Sequence, residues 1–130
     1  MKINSADIGV IASGIYFLGF GIVFIFLPSR IDQLGLKWMN QAGKTEVRCY
    51  YGGLSIGLSG FLTYMLKVHF EQEALTLVIF LALAVWGTRV GSLIVDKGWE
   101  LPYNRLAVPV ESVFVVFLIV MKIVGFSIKV

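Results

Sequence analysis

Four long apolar runs constrain this chain more than any other feature of its sequence. They cover residues 8–27, 47–66, 74–95 and 106–126. A bilayer core about 30 Å thick is crossed by about 20 helical residues, and each run reaches that length. Pro28 closes the first run, Glu71 and Glu73 open the third, and Pro102 suits the first turn of the fourth. Hydrophobic residues make up 58% of the 130 residues and charged ones only 15%. Soluble domains average about 45–50% and 25% on these measures. The mean hydropathy is +0.85. A soluble domain this small leaves too much surface exposed to hide so many apolar side chains. The expected fold is therefore all-α: a polytopic membrane protein whose single domain, residues 1–130, is a bundle of four transmembrane helices. The first run is too long for the apolar region of a signal peptide, and no small-residue cleavage pattern follows it. It is expected to be retained.

Four crossings put both termini on one side of the membrane. The connections at 28–45 and 96–104 then lie on the other side. The first carries Ile31, Leu34, Leu36, Trp38 and Met39, a pattern that suits a short interfacial segment. Trp38, Trp99 and Tyr103 fall at headgroup level, as in aromatic belts. Arg30, Lys37, Lys44, Arg48, Lys97 and Arg105 belong to this loop side, whereas Lys2, Lys67, Lys122 and Lys129 belong to the terminal side. The positive-inside rule places the loop side in the cytoplasm and the termini outside it.

Ionisable residues within the runs are the candidates for function. All four arginines lie on or near the loop side. Arginine offers a planar fork of donors that binds carboxylate or phosphate. Arg89 stands seven residues before Asp96, about 10 Å below the end of its helix, and Glu111 stands six residues after Arg105, about 9 Å down. A short connection makes these helices antiparallel neighbours, so Arg89 and Glu111 are predicted to meet. A lone charge at that depth costs about 3 kcal/mol on insertion scales, and pairing removes much of the cost. Arg48, Ser55 and Ser59 form one helical stripe, and Arg89, Ser92 and Asp96 form another. Arg48, Tyr51, Ser55, Arg89, Ser92, Asp96 and Glu111 are thus the candidate ligand-binding residues. As a pocket, they would hold an anionic group; as a salt-bridge network, they would only fix helix register. Pro109 frees the carbonyl of Arg105 as a further acceptor or kinks the helix.

Gly53, Gly57 and Gly60 on the second run, and Gly87 and Gly91 on the third, have the small-residue spacing of membrane helix packing. They serve either the bundle or a homo-oligomer seam. Other chemistry is not indicated. The single cysteine, Cys49, forms no internal disulfide, and the single histidine, His69, stands near Glu71 and Glu73 in a connection. No metal-ligand spacing, nucleophile motif or nucleotide loop occurs. No cofactor or metal is expected. The net charge of +3 is not the clustered basic surface of a nucleic-acid binder.

The stretches EVRCYYGGLS (46–55) and RVGSLIVDKG (89–98) resemble the domain-of-unknown-function 4345 family. Its pattern has an Arg-x-x-Tyr-Gly-Gly start to the second helix, an Arg-x-x-Ser run ending the third and an acidic residue early in the fourth. Arg48, Tyr51, Gly52, Gly53, Arg89, Ser92 and Glu111 match those places, and the resemblance spans about residues 8–126. It implies a small four-helix protein of a bacterial membrane and no particular activity.

Taken together, the residues point to an integral inner-membrane protein that binds an anionic small molecule or lipid headgroup, with membrane lipids as its partners. One alternative is a homo-oligomeric channel or transporter; another is an accessory subunit of a larger membrane complex. A membrane enzyme is a fourth reading, without a nucleophile–base pair to carry it.

Overall fold

The structure, a computed structural model, describes residues 4–95 and 102–127. It contains α1 (Ser5–Phe26), α2 (Gln41–Glu46), α3 (Leu54–Lys67), α4 (Glu71–Val95) and α5 (Pro102–Ser127), with a 3-10 helix at Pro28–Leu34 and a π-helical stretch at Val47–Gly53. No strand occurs among the described residues. Among the described residues three helices, α1, α4 and α5, are long and apolar enough to cross a membrane. Only 11% of the apolar window in α4, and the same share in α5, is buried. Side chains such as Phe80, Val113 and Val116 stand exposed. Apolar surface on this scale marks contact with a membrane or a partner.

The run at 47–66 departs from the expectation. Its first seven residues are π-helical, and Leu54 donates its backbone N–H to the Cys49 carbonyl five residues back. The α-helix that follows, α3, has 14 residues, about 21 Å at 1.5 Å per residue. Helical backbone continues without a break from Gln41 to Lys67. Gly52 and Gly53 weaken the helix at the π-turn, where such distortions concentrate.

The chain divides into two compact units, Ile11–His69 and the remainder. In the Ile11–His69 unit, Phe24, Ile31 and Val47 are buried together, with Phe20, Leu34, Trp38 and Tyr51 packed against them. Tyr16, Phe20 and Phe24 recur every four residues on α1. Their rings form a ladder, 5.8 Å and 4.6 Å between centroids, and Phe24 meets Tyr51 at 5.6 Å. Ile31, Leu34 and Trp38 thus face this cluster, leaving Leu36 and Met39 as the exposed apolar residues of the expected interfacial segment. Asn40 caps α2 by accepting from the Gly43 N–H at 2.9 Å. The 3-10 helix ends at Gly35, whose φ of 75° suits a residue without Cβ.

Backbones approach closely where Gly21 meets Gly52. A Cβ on Gly21 would lie 2.9 Å from the Gly52 carbonyl, and one on Gly52 would lie 2.6 Å from Ile25 Cγ1. The buried face of the second helical run reads Gly52, Ser55, Ser59 and Leu62. Ser59 donates its hydroxyl to the Gly14 carbonyl at 2.9 Å. The expected stripe of Gly53, Gly57 and Gly60 lies one residue off this face and is exposed. Within this unit, nothing lies within 4 Å of a Cβ placed on Gly57 or Gly60. The same holds for Gly87 and Gly91 in their own unit, so none of these four serves as a close-packing position there.

In the second unit, α4 and α5 form a hairpin. Thr76 pairs with Lys122, Trp86 with Ser112 and Arg89 with Glu111. The α5 partner moves toward the chain start as the α4 residue advances, so the helices are antiparallel. The first turns of α1 pack on the far end of this hairpin, with Gly9 against Leu75 and Met121, and Ala6 against Gly125. Asn4 and Asp7 cap α1 reciprocally. The Asp7 N–H donates to the Asn4 side-chain oxygen and the Asn4 N–H to the Asp7 carboxylate, both at 2.8 Å.

Candidate functional site

The chemistry of the hairpin concentrates at its loop-side end. Arg89 donates Nε–H to both carboxylate oxygens of Glu111, at 3.0 and 2.8 Å. This is the pair predicted from depth. It is partly shielded, with 22% of the Arg89 side chain and 26% of Glu111 exposed. The contact occupies the Nε edge of the guanidinium. On its other side, Nη1 reaches the Asn104 side-chain oxygen at a long 3.4 Å. The Tyr103 ring covers the guanidinium carbon at 5.1 Å from its centroid, a cation–π distance.

The placement of each group follows from helix geometry. Arg89 and Ser92 are three residues apart and share a face of α4, which Thr88 and Val85 extend. Asn104 stands seven residues before Glu111 and so lies on the same stripe of α5. One turn deeper, the Trp86 indole N–H donates to the Ser112 hydroxyl at 2.8 Å, and Ser112 donates to the Val108 carbonyl at 2.7 Å. This satisfies the indole and locks the two helices in register beneath the ion pair.

Beside the pair lies a groove of about 490 Å³ lined by Ala84, Val85, Thr88, Arg89, Ser92 and Asn104. That size falls within the range of small-molecule sites, about 300–1,000 Å³. The groove offers a guanidinium, two hydroxyls and an amide. Such a set of donors can hold oxygens of an anion. It contains no nucleophile poised beside a base. Among the described residues no three of His, Cys, Asp and Glu converge as metal ligands.

The residues selected from the sequence therefore divide. Arg89 pairs with Glu111, and Arg89 shares the groove with Ser92. Arg48, Tyr51 and Ser55 belong to the Ile11–His69 unit. There the exposed Arg48 donates Nε–H to the Ile25 carbonyl at 3.1 Å. It thereby caps the last turn of α1 at the negative end of its dipole. Tyr51 lends its ring to the aromatic cluster, and Ser55 is buried on the packed face of α3. Asp96 and Trp99 lie outside the described residues. The sequence reading missed Asn104 and Thr88 and assigned Tyr103 only to a headgroup belt. The seven-residue offset from Glu111 marks Asn104, and the four-residue offset from Ser92 marks Thr88.

No curated protein and no solved structure matches the chain. A family model, the domain of unknown function DUF4345, matches residues 5–122. That match covers most of the chain and includes every residue that lines the groove, so the chain belongs to the DUF4345 family.

Proposed function

We propose that this protein is a four-crossing integral protein of a bacterial inner membrane that binds an anionic group in the groove beside Arg89. The helical run from Gln41 to Lys67 supplies the fourth crossing. The loop side faces the cytoplasm, and the groove opens near that surface. One observation carries the reading: Arg89 lines a groove while Glu111 holds only the Nε edge of its guanidinium. A purely structural pair has no use for a groove lined by the hydroxyls of Ser92 and Thr88. An intramembrane cation that shares such a cavity is a binding candidate by default.

Native mass spectrometry of the protein in mild detergent tests this. The wild type should carry a discrete bound mass. A folded Arg89→Gln/Glu111→Gln double variant, which avoids leaving one charge orphaned, should lose it. A ligand-free wild type, or a mass unaffected in the double variant, would show that the pair only fixes the hairpin. A homo-oligomer is the second reading, favoured by the exposure of Gly53, Gly57 and Gly60 one residue off the packed face. The same spectrum reports subunit number.

A further inference from the structure

The groove has two chemically different ends, and this difference narrows what fits it. Arg89, Ser92 and Asn104 make one end polar, whereas Val85 and Ala84 make the other apolar. From Ser92 to Ala84 is eight residues of α4, about 12 Å along the helix axis. A free inorganic anion would use only the polar end. Beyond Val85 the apolar track continues toward the middle of the span, with Leu81 exposed one turn further.

Charge narrows it again. Arg89 and Glu111 together are neutral, so the polar end has no surplus positive charge, and a polyanion beside Glu111 would stand uncompensated. The hydroxyls of Ser92 and Thr88 are uncharged. This donor set matches a singly charged phosphodiester with two non-bridging oxygens better than a polyanion. The guanidinium rises from about 9 Å below Val95, the last described residue of α4, and its long stem lets it reach toward the headgroup layer.

We infer that the occupant is a phospholipid. Its phosphodiester accepts from the Nη side of Arg89, in place of the long 3.4 Å contact to Asn104, and from Ser92, and one acyl chain lies along Val85 and Ala84. This rests on the anion-binding reading above and specifies its ligand class.

The test uses the full chain, delipidated in detergent and titrated with dioleoyl phosphatidylglycerol, with glycerophosphoglycerol, the same singly charged phosphodiester without acyl chains, as the chainless probe. Native mass spectrometry counts bound lipid, and circular dichroism confirms folding of each variant. The wild type should retain one lipid and no glycerophosphoglycerol. Ala84→Phe fills the apolar end without touching the ion pair and should weaken lipid retention about tenfold. The Arg89→Gln/Glu111→Gln variant should weaken it at least as much. Thr88→Leu, which blocks the groove between the two ends, serves if the double variant does not fold. Glycerophosphoglycerol binding that depends on Arg89 and ignores Ala84→Phe would overturn the lipid assignment and leave the anion site standing. Lipid retention unchanged in every variant would mean annular lipid only and would overturn both, as would binding of neither probe.

Discussion

The α4–α5 hairpin carries a cation near each end, and the two are held in different ways. At the loop-side end, Arg89 of α4 meets a carboxylate on α5 and borders a groove. At the other end, Lys122 of α5 reaches α4, where it donates to the Thr76 hydroxyl and to the Gln72 carbonyl at 3.3 Å. No carboxylate takes part in those two bonds. This second end is filled rather than open. The start of α1 lies against it, Glu71 is buried and accepts from the Asn4 amide at 3.2 Å, and both polar atoms of the Gln72 side chain are buried without a partner. One end spends its polar groups on fixing three helix ends together, whereas the other keeps donors beside a cavity. Substitutions at the filled end should therefore cost stability, and those at the open end should cost binding.

The largest effect is expected at Gly125. A Cβ there would lie 3.0 Å from the Ala6 backbone nitrogen and 3.1 Å from its Cβ, and a helix backbone cannot step aside as a flexible side chain can. Gly125→Val should lower stability by about 3 kcal/mol, the upper range for overpacking, measured as unfolding in detergent. The lipid count should stay at the wild-type value per folded molecule. Loss of binding in a folded Gly125→Val protein would show that the two ends are coupled.

Arg89→Met comes next. It leaves Glu111 without its partner in a position where only 26% of its side chain is exposed, so a loss of about 2 kcal/mol is expected, as for other hydrogen bonds to charged groups. Restoring neutrality with Glu111→Gln in the same chain should recover most of that stability but none of the binding. If binding returned with stability, the guanidinium would not be the anion's partner. Asn4→Ala, at the filled end, removes the reciprocal cap and should cost about 1 kcal/mol with binding untouched.

The sequence exposed these features unevenly. Hydropathy and length alone marked α1, α4 and α5, because a span of about 20 apolar residues has few other uses. The Arg89–Glu111 contact was legible from depth counting, since a rise of 1.5 Å per residue on two antiparallel helices leaves little freedom. The glycine stripe is a different case, because small-residue spacing marks a helix face and not its partner. Within its own unit Gly52, Ser55, Ser59 and Leu62 take the packed face, and Gly53, Gly57 and Gly60 stand exposed beside it. That Arg48 donates to the Ile25 carbonyl is not legible in the sequence, because side-chain chemistry alone cannot distinguish an anion from the carbonyl at a helix end. The groove itself has no linear signature. It needs Asn104 and Ser92 to come together from two helices.

The smallest effect should also be the most discriminating. Replacing Lys122 by Met removes an intramembrane charge, and what it leaves behind differs from the Arg89 case. Thr76 still donates its hydroxyl to the Gln72 carbonyl at 2.6 Å. That carbonyl also lies in the first turn of α4, where the helix itself supplies it with a donor. No ionised partner is stranded. The desolvation cost of the ammonium, about 3 kcal/mol at the centre of a span and less toward its end, is recovered, and methionine fills the same volume. Lys122→Met should therefore change stability by no more than about 0.5 kcal/mol in either direction, against about 2 kcal/mol lost for Arg89→Met. A loss at Lys122 as large as that at Arg89 would mean that Lys122 answers a buried carboxylate after all, with Glu71 the nearest candidate in sequence to its α4 partners. The contrast between the two ends would then be one of shape alone and not of charge pairing.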